Sequence, residues 1–430
     1  MEADIQLPVD GISVIDGTPS SSNWTPVGQA YGYIGKVDGK GHTISGLRIR
    51  AFEEQQIGFF KIISTDEVSD RGDYFMIGTV RNLNFDDAAI CGHHIAGVMA
   101  GRIGGRATIS DCNITNSYVS IPSEVDVYDR GKIAGGFIGE VSGYNGVKTN
   151  SNYTYRILVS NCTFDGSVEG AWHIGGIAGT LTGSATIINC TNKGEITANS
   201  LNSGGIVGSA HPYDGYPRIE KCINQGKVTT LKPSTSTNGI GGIVGNIQGT
   251  TRVIACTNEG EVSATTTTYS YLGGVVGYIK EDNSWSSAWN APLVAGCINK
   301  STEVRGSLTN HYGGIVGNLN HSKGKVLGCY TVQSSDKGDL YGSQTISGSV
   351  TSGELSGCYH SNDAASSSEK VTNMNTAIAS GHADAITIAE NRAPSSDYAR
   401  NIYVSYAGCE YHWSWESGEY PTIVSGLPGE

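Results

Sequence analysis

The chain has 430 residues, 60 of them Gly, only 16% charged residues and a formal net charge of −12. An acidic chain poor in Lys and Arg has no clustered cations for phosphate, which excludes nucleic acid and gives no attraction to anionic lipid. No apolar run is long enough to span a bilayer, so no direct membrane insertion is expected, and no Gly-X-Y period marks collagen.

The first residues, Met1 to Gln6, lack the charged and apolar regions of a signal peptide. That fits either a cytosolic protein or a mature segment with an added Met, and the repeats described next favour the second. Residues 1–55 are expected to form an N-terminal cap and first rung, with Trp24 and Pro26 ahead of the repeats. A fixed unit then recurs through residues 56–365. Its core is Gly-Gly-aliphatic-aliphatic-Gly, as in Gly135-Gly136-Phe137-Ile138-Gly139, Gly204-Gly205-Ile206-Val207-Gly208 and Gly313-Gly314-Ile315-Val316-Gly317. The copy Ala96-Gly97-Val98-Met99-Ala100-Gly101 is irregular. A period of this kind means stacked units, none able to bury its apolar face alone.

Eight cysteines share one register: Cys112, Cys162, Cys190, Cys222, Cys256, Cys297, Cys329 and Cys358. Three residues before them lie Ile109, Val159, Ile187, Ile219, Val253, Val294, Val326 and Leu355. Two residues after four of them lie Asn192, Asn224, Asn258 and Asn299, then Gly194, Gly226, Gly260 or, as a departure, Ser301. Each unit therefore reads as a Gly-rich strand, a turn, an aliphatic-x-x-Cys strand, an Asn-x-Gly corner and a short Val or Ile strand. Gly is assigned to the positive φ of sharp corners, and the Asn amides to stacks that bond the next rung's backbone. The shortest period, Gly176 to Gly205, is 29 residues and suits one turn of a three-sided parallel β-helix. In such a stack the Cβ atoms of the cysteines sit about 4.8 Å apart, beyond the roughly 3.5–4.5 Å that a disulfide prefers. An inward thiol ladder is favoured over a disulfide framework on that ground, and no Cys-x-x-Cys spacing suggests zinc.

Other residues carry chemistry by type. Asp86 and Asp87 adjoin in a turn, and Glu124, Asp126 and Asp129 alternate in an insertion where they can hold Ca²⁺. A solvated acidic loop is the simpler reading, and no cofactor is expected. Cys91-Gly92-His93-His94 resembles a metal or nucleophile cluster but lacks a further ligand. From the second core Gly to the Cys takes 14 residues in tight repeats but 26 from Gly136, 17 from Gly205 and 23 from Gly274. These excursions share one corner and hold Tyr144, Tyr153, Tyr155, Tyr213, Tyr216, Trp285 and Trp289. Such rings can stack on sugar faces or anchor a protein, or simply pack the loops onto the wall. Residues 366–430 read as a small α+β C-terminal cap. Val371, Met374 and Ile378 have helical spacing within Glu369–Ser380, and Tyr411, Trp413 and Trp415 alternate as a strand.

The segment from Tyr33 through Gly35-Lys36-Val37-Asp38-Gly39 to Ile44-Ser45-Gly46-Leu47, followed by Ile57-Gly58-Phe59-Phe60, resembles the opening of GLUG-motif repeat proteins. The later Gly-Gly-Ile-Val-Gly and Cys-x-Asn-x-Gly units are similar to the same repeats, over roughly residues 24–360. Lys61 stands where the first copy should end in Gly. The resemblance implies a bacterial cell-surface or secreted protein with a role in adhesion.

The expected fold is all-β, a single-stranded parallel, right-handed β-helix solenoid. The expected function is non-enzymatic binding of a glycan or surface protein through the aromatic loops, by a monomer held at the surface by a segment outside this chain. A carbohydrate-active lyase or hydrolase on the solenoid flank, or a passive spacer, are the competing readings.

Overall fold

The computed structural model describes residues 1–28, 32–64, 77–122, 132–143, 157–170, 172–199, 201–212, 215–231, 238–265, 270–281, 292–301, 303–305, 312–327, 329–331, 350–356, 358–360, 371–373, 387–388, 411–414 and 422–425. Among these residues there is no helix, and three long sheets of parallel strands carry the chain. The protein is a parallel β-helix solenoid.

One rung shows the plan. Asn202–Gly204 lies on a first face, Val207–His211 and Arg218–Glu220 on a second, and Ile223–Asn224 and Val228–Thr230 on a third. Each strand pairs in parallel with its counterpart on the next rung: Ser203 with Ile240, Val207 with Val244, Ile219 with Val253, Asn224 with Asn258 and Val228 with Val262. Like residues therefore stand over like, about 4.8 Å apart.

The aliphatic three residues before each Cys forms one unbroken column. Ile109, Val159, Ile187, Ile219, Val253, Val294, Val326 and Leu355 are successive register partners. The column runs further toward the N-terminus, through Val80 and Val37. Leu83 holds the Cys position there, its backbone N–H directed at the Cys112 sulfur. From Val80 to Val326 these side chains are fully buried. Each such burial stabilises by roughly 1.5–3 kcal/mol, so the branched carbons at this one position form a continuous spine.

In seven described rungs the corner before the Cys, or before Leu83, bends through the left-handed region. Asn82, Asp111, Asn161, Asn189, Lys221 and Ala255 have φ between 50° and 56°, and Gly296 has 59°. The glycines of the repeat core are not in that region, which corrects their assignment to positive φ. Their cause is close approach. A methyl group at Gly205 would land on the Asn224 amide of its own rung, and one at Gly226 on the Gly194 carbonyl of the rung before.

At the N-terminus, Ile5–Gln6 pairs with Thr43–Ser45 and so extends the third face. A hairpin of Val14–Ile15 and Thr18–Pro19 turns at Asp16 and Gly17, both at positive φ as two-residue hairpins require. Trp24 stacks on Phe59 with centroids 4.4 Å apart and donates its indole N–H to the Phe59 carbonyl. Toward the C-terminus, Cys358–His360 adds to the third face and Val371–Asn373 pairs with it in parallel. A helix was expected to include Val371, but these three residues continue the stack, where a β-branched residue fits the pleat. The rest of Glu369–Ser380 lies outside the described residues, apart from Thr372 and Asn373. Tyr411–Ser414 is a strand, paired antiparallel with Thr387–Ile388 and Thr422–Ser425.

Candidate functional site

The interior of the solenoid is structural chemistry. The cysteines of the register are buried and free, and those from Cys112 to Cys329 direct their thiols at a backbone carbonyl two residues back, as Cys162 to Ser160, Cys222 to Glu220 and Cys297 to Ala295, at 3.2–3.4 Å. Burial pushes the thiols of Cys162, Cys190, Cys256 and Cys329 well above their ordinary range, so they act as small apolar groups with a satisfied donor.

Beside them runs an amide column. Asn192 Nδ2 donates to Asn224 Oδ1 at 2.8 Å, Asn224 to Asn258 at 2.8 Å, Asn258 to Asn299 at 2.9 Å, and Asn299 to Thr331 Oγ1 at 3.2 Å. The second N–H of each amide closes its own corner, as from Asn192 to the Gly194 carbonyl, and Asn192 Oδ1 accepts from the Gly194 N–H. The amides thus bond one another and their own turns, rather than the next rung's backbone. The same column is Ile44, Phe85, Ile114 and Phe164 in earlier rungs, so one position is apolar in the first half of the stack and amide in the second.

The outer surface of the second face offers more for binding. At its far edge the chain leaves the wall after Gly143, His211 and Lys280 and returns at Ile157, Arg218 and Leu293. These departure points share one edge, since Gly143 pairs with Gly183, His211 with Thr182 and Lys280 with Asn320. Between them, tight rungs cross the same corner at Ser184 or through the Gln248–Thr251 turn. At its near edge the second face meets the first in a crease. A methyl at Gly208 would strike the Ile174 backbone of the rung before, and one at Gly277 the Ile240 backbone. Tyr271 on the first face and Tyr278 on the second are in ring contact, 4.7 Å between centroids. Rings borne outward by two faces touch only where those faces fold toward each other.

In the same crease Asn202 Oδ1 accepts the Gly239 N–H at 2.9 Å, which turns its amide nitrogen toward His173 Nδ1 at 3.4 Å. That nitrogen must accept, so the imidazole is neutral. Burial first, and His211 second, hold its pKa down at about 3.

The expected ligand residues Tyr144, Tyr153, Tyr155, Tyr213, Trp285 and Trp289 lie outside the described residues, as do Glu124, Asp126 and Asp129. Tyr216 is described and half-buried at the return of its insertion. Asp86 and Asp87 diverge: Asp86 accepts from Thr115 and Asn116, while Asp87 pairs with the buried Arg48 at 2.7 Å. Cys91, His93 and His94 are likewise not brought together as a cluster. The Cys91 thiol is buried under Thr18 of the N-terminal hairpin, and His93 stacks on Phe52. Among the described residues no group of three His, Cys, Asp or Glu side chains is arranged to hold a metal. Glu140 and Glu220 of the second face are each held by an arginine, Arg102 at 3.7 Å and Arg218 at 2.7 Å.

The fold and its columns define a repeat protein of the parallel β-helix class. The GLUG motif model matches residues 170–197, one complete rung from Gly170 through the Gly175-Gly176 core, Cys190 and Asn192 to Thr197. The chain carries a GLUG motif at this rung, consistent with a GLUG-motif repeat protein. Among solved structures it is similar to one described as a "putative immunoglobulin A1 protease" from Bacteroides ovatus, at 19% identity and a TM-score of 0.43, covering 82% of this chain and 87% of that one. At that identity and score the likeness says nothing of activity. A search of curated proteins finds no match.

Proposed function

We propose that the protein is a non-enzymatic binding or adhesion protein, secreted or held at a cell surface, that engages a glycan or protein partner along one side of the solenoid as a monomer. The observation that supports this reading is the shared edge: the strands that precede the three aromatic-bearing insertions end at Gly143, His211 and Lys280, on one edge of the second face. Repeat proteins gather their binding loops in this way, because an insertion at a corner leaves the stacked strands undisturbed. The aromatic residues of the insertions supply large contact area at small entropic cost. The interior columns are satisfied by their own neighbours and leave the surface to carry recognition.

The test is a glycan array and a surface-protein pull-down with the native protein and with a Trp285→Ala, Trp289→Ala variant. Loss of at least about tenfold in affinity, corresponding to about 1.4 kcal/mol, supports the reading. Unchanged binding in the variant removes the loops from it, and the absence of any binding by the native protein leaves a spacer.

A further inference from the structure

The crease holds a histidine with no acid beside it. On the first face His173 stands in register between Ile133 on the rung before and Asn202 on the rung after. The two faces are in backbone contact around it. A methyl at Gly179 would strike the Ile133 side chain and the His173 carbonyl, and one at Gly208 the backbone of His173 and Ile174. The imidazole is thus lodged half-buried in the seam, with Asn202 Nδ2 at 3.4 Å from Nδ1. The Gly239 N–H occupies Asn202 Oδ1 at 2.9 Å and so fixes which end of the amide meets the ring. The titratable groups on the packed strands offer no counter-charge. Val207–His211 brings a second imidazole, His211. On the rung before, Lys132 contributes the carbonyl that accepts the His173 N–H, and Glu140 is held by Arg102 at 3.7 Å. On the third face Glu169 accepts from Tyr118 and Asn199, while Asp165 and Glu195 are exposed.

We infer that this seam is an acid-sensitive latch: neutral His173 holds the Asn202 amide and lets the first face close on the second, and a proton on its Nδ1 breaks that bond and opens the seam. A protonated imidazole donates from both nitrogens, so Asn202 Nδ2 would face a second donor. It would also carry an unpaired charge into the crease beside His211. Burial first, and His211 second, keep the ring neutral down to about pH 3 in the closed seam. The sign follows from proton linkage. A free imidazole titrates near about 6.5, so below that pH the opened form takes up a proton that the closed form refuses. The latch is therefore at full strength above about pH 7 and weakens progressively as the pH falls below about 6.5. Asn202 also holds the Gly239 N–H of the following rung, so its release loosens the seam on both sides. His211 ends the strand from which one insertion departs, which ties the latch to the loop-bearing edge. The latch needs no ligand and stands apart from the binding role proposed above.

The experiment uses the whole chain, native and with His173→Gln, whose side-chain oxygen accepts from an amide and does not titrate. Urea unfolding is followed from about pH 7.5 to about 4.5. Below about pH 6 the native unfolding constant should rise about tenfold more per pH unit than that of the variant. Carboxylates held low, such as Asp38, titrate alike in both forms and cancel. Equal pH dependence overturns the latch. Two measurements on the native protein alone serve if the variant does not fold. In NMR of the folded protein the His173 ring, assigned through its backbone, should stay neutral at about pH 4.5; protonation near about 6.5 overturns the latch. In hydrogen exchange the protection factor of the Gly239 N–H should fall at least about tenfold between about pH 7.5 and 5, while that of Val253 in the spine holds. Protection lost evenly at both places is plain acid unfolding and overturns the latch.

Discussion

Ala255 has φ of 53° at a corner where neighbouring rungs place Asn161, Asn189 and Gly296. The left-handed region costs an ordinary L-residue about 1–2 kcal/mol, while Gly enters it freely at some entropic cost of its own. Replacing Ala255 with Gly should therefore stabilise the protein by about 0.5–1 kcal/mol. The urea midpoint should rise with the slope unchanged, and a fall would mean that the Ala255 methyl contributes more packing than its backbone strain costs. This corner was partly legible beforehand, since Asp111, Asn161, Asn189 and Gly296 all precede their cysteines and are residues that tolerate positive φ. Lys221 and Ala255 hid it, because a preference of one or two kcal/mol yields to packing at single rungs. The core glycines misled for a related reason. Freedom at φ and absence of a side chain are both properties of Gly, and only the position of the Asn224 amide over Gly205 shows which one the fold uses.

At the scale of the element, the amide column decides how successive rungs in the second half of the stack hold their register. Each of its buried amides spends both N–H donors, one sideways and one along the axis. Asn224→Ala leaves the Asn192 amide and the Asn258 oxygen without their axial partners, two buried groups at roughly 1–3 kcal/mol each. A loss of about 2–5 kcal/mol is expected in equilibrium unfolding; a loss under 1 kcal/mol would show that water or relaxation replaces the axial bonds. The Asn and Gly positions were readable from their period. The direction of the bonds was not, because spacing fixes which residues stack and leaves open which atoms meet. Val371–Asn373 teaches the converse. Three apolar residues at helical spacing in a short segment fit helix and strand alike, and here the edge left by Cys358–His360 settles it. The His173 latch had no signal in the sequence at all, since its column holds Ile133, Asn202 and no repeated residue around it.

At the scale of the whole molecule, the columns turn one repeated unit into a single continuous core. Each rung depends on its neighbours, and the apolar spine from Val37 to Leu355 links nearly all of them. The spine was legible because every aliphatic-x-x-Cys pair keeps its spacing through all the insertions. Its first two rungs were not, because Lys40 and Leu83 stand where the cysteine marked the others. That like stands over like, with thiols inward, is tested most directly by site-resolved alkylation of the unreduced protein, read by mass spectrometry before and after denaturation. Cys112, Cys162, Cys190, Cys222, Cys256, Cys297, Cys329 and Cys358 should resist the reagent in the folded protein and all react once it is unfolded, with no reductant added. Labelling of these residues in the folded state, or their failure to label when unfolded, would contradict the stacked thiol column and the solenoid register built on it.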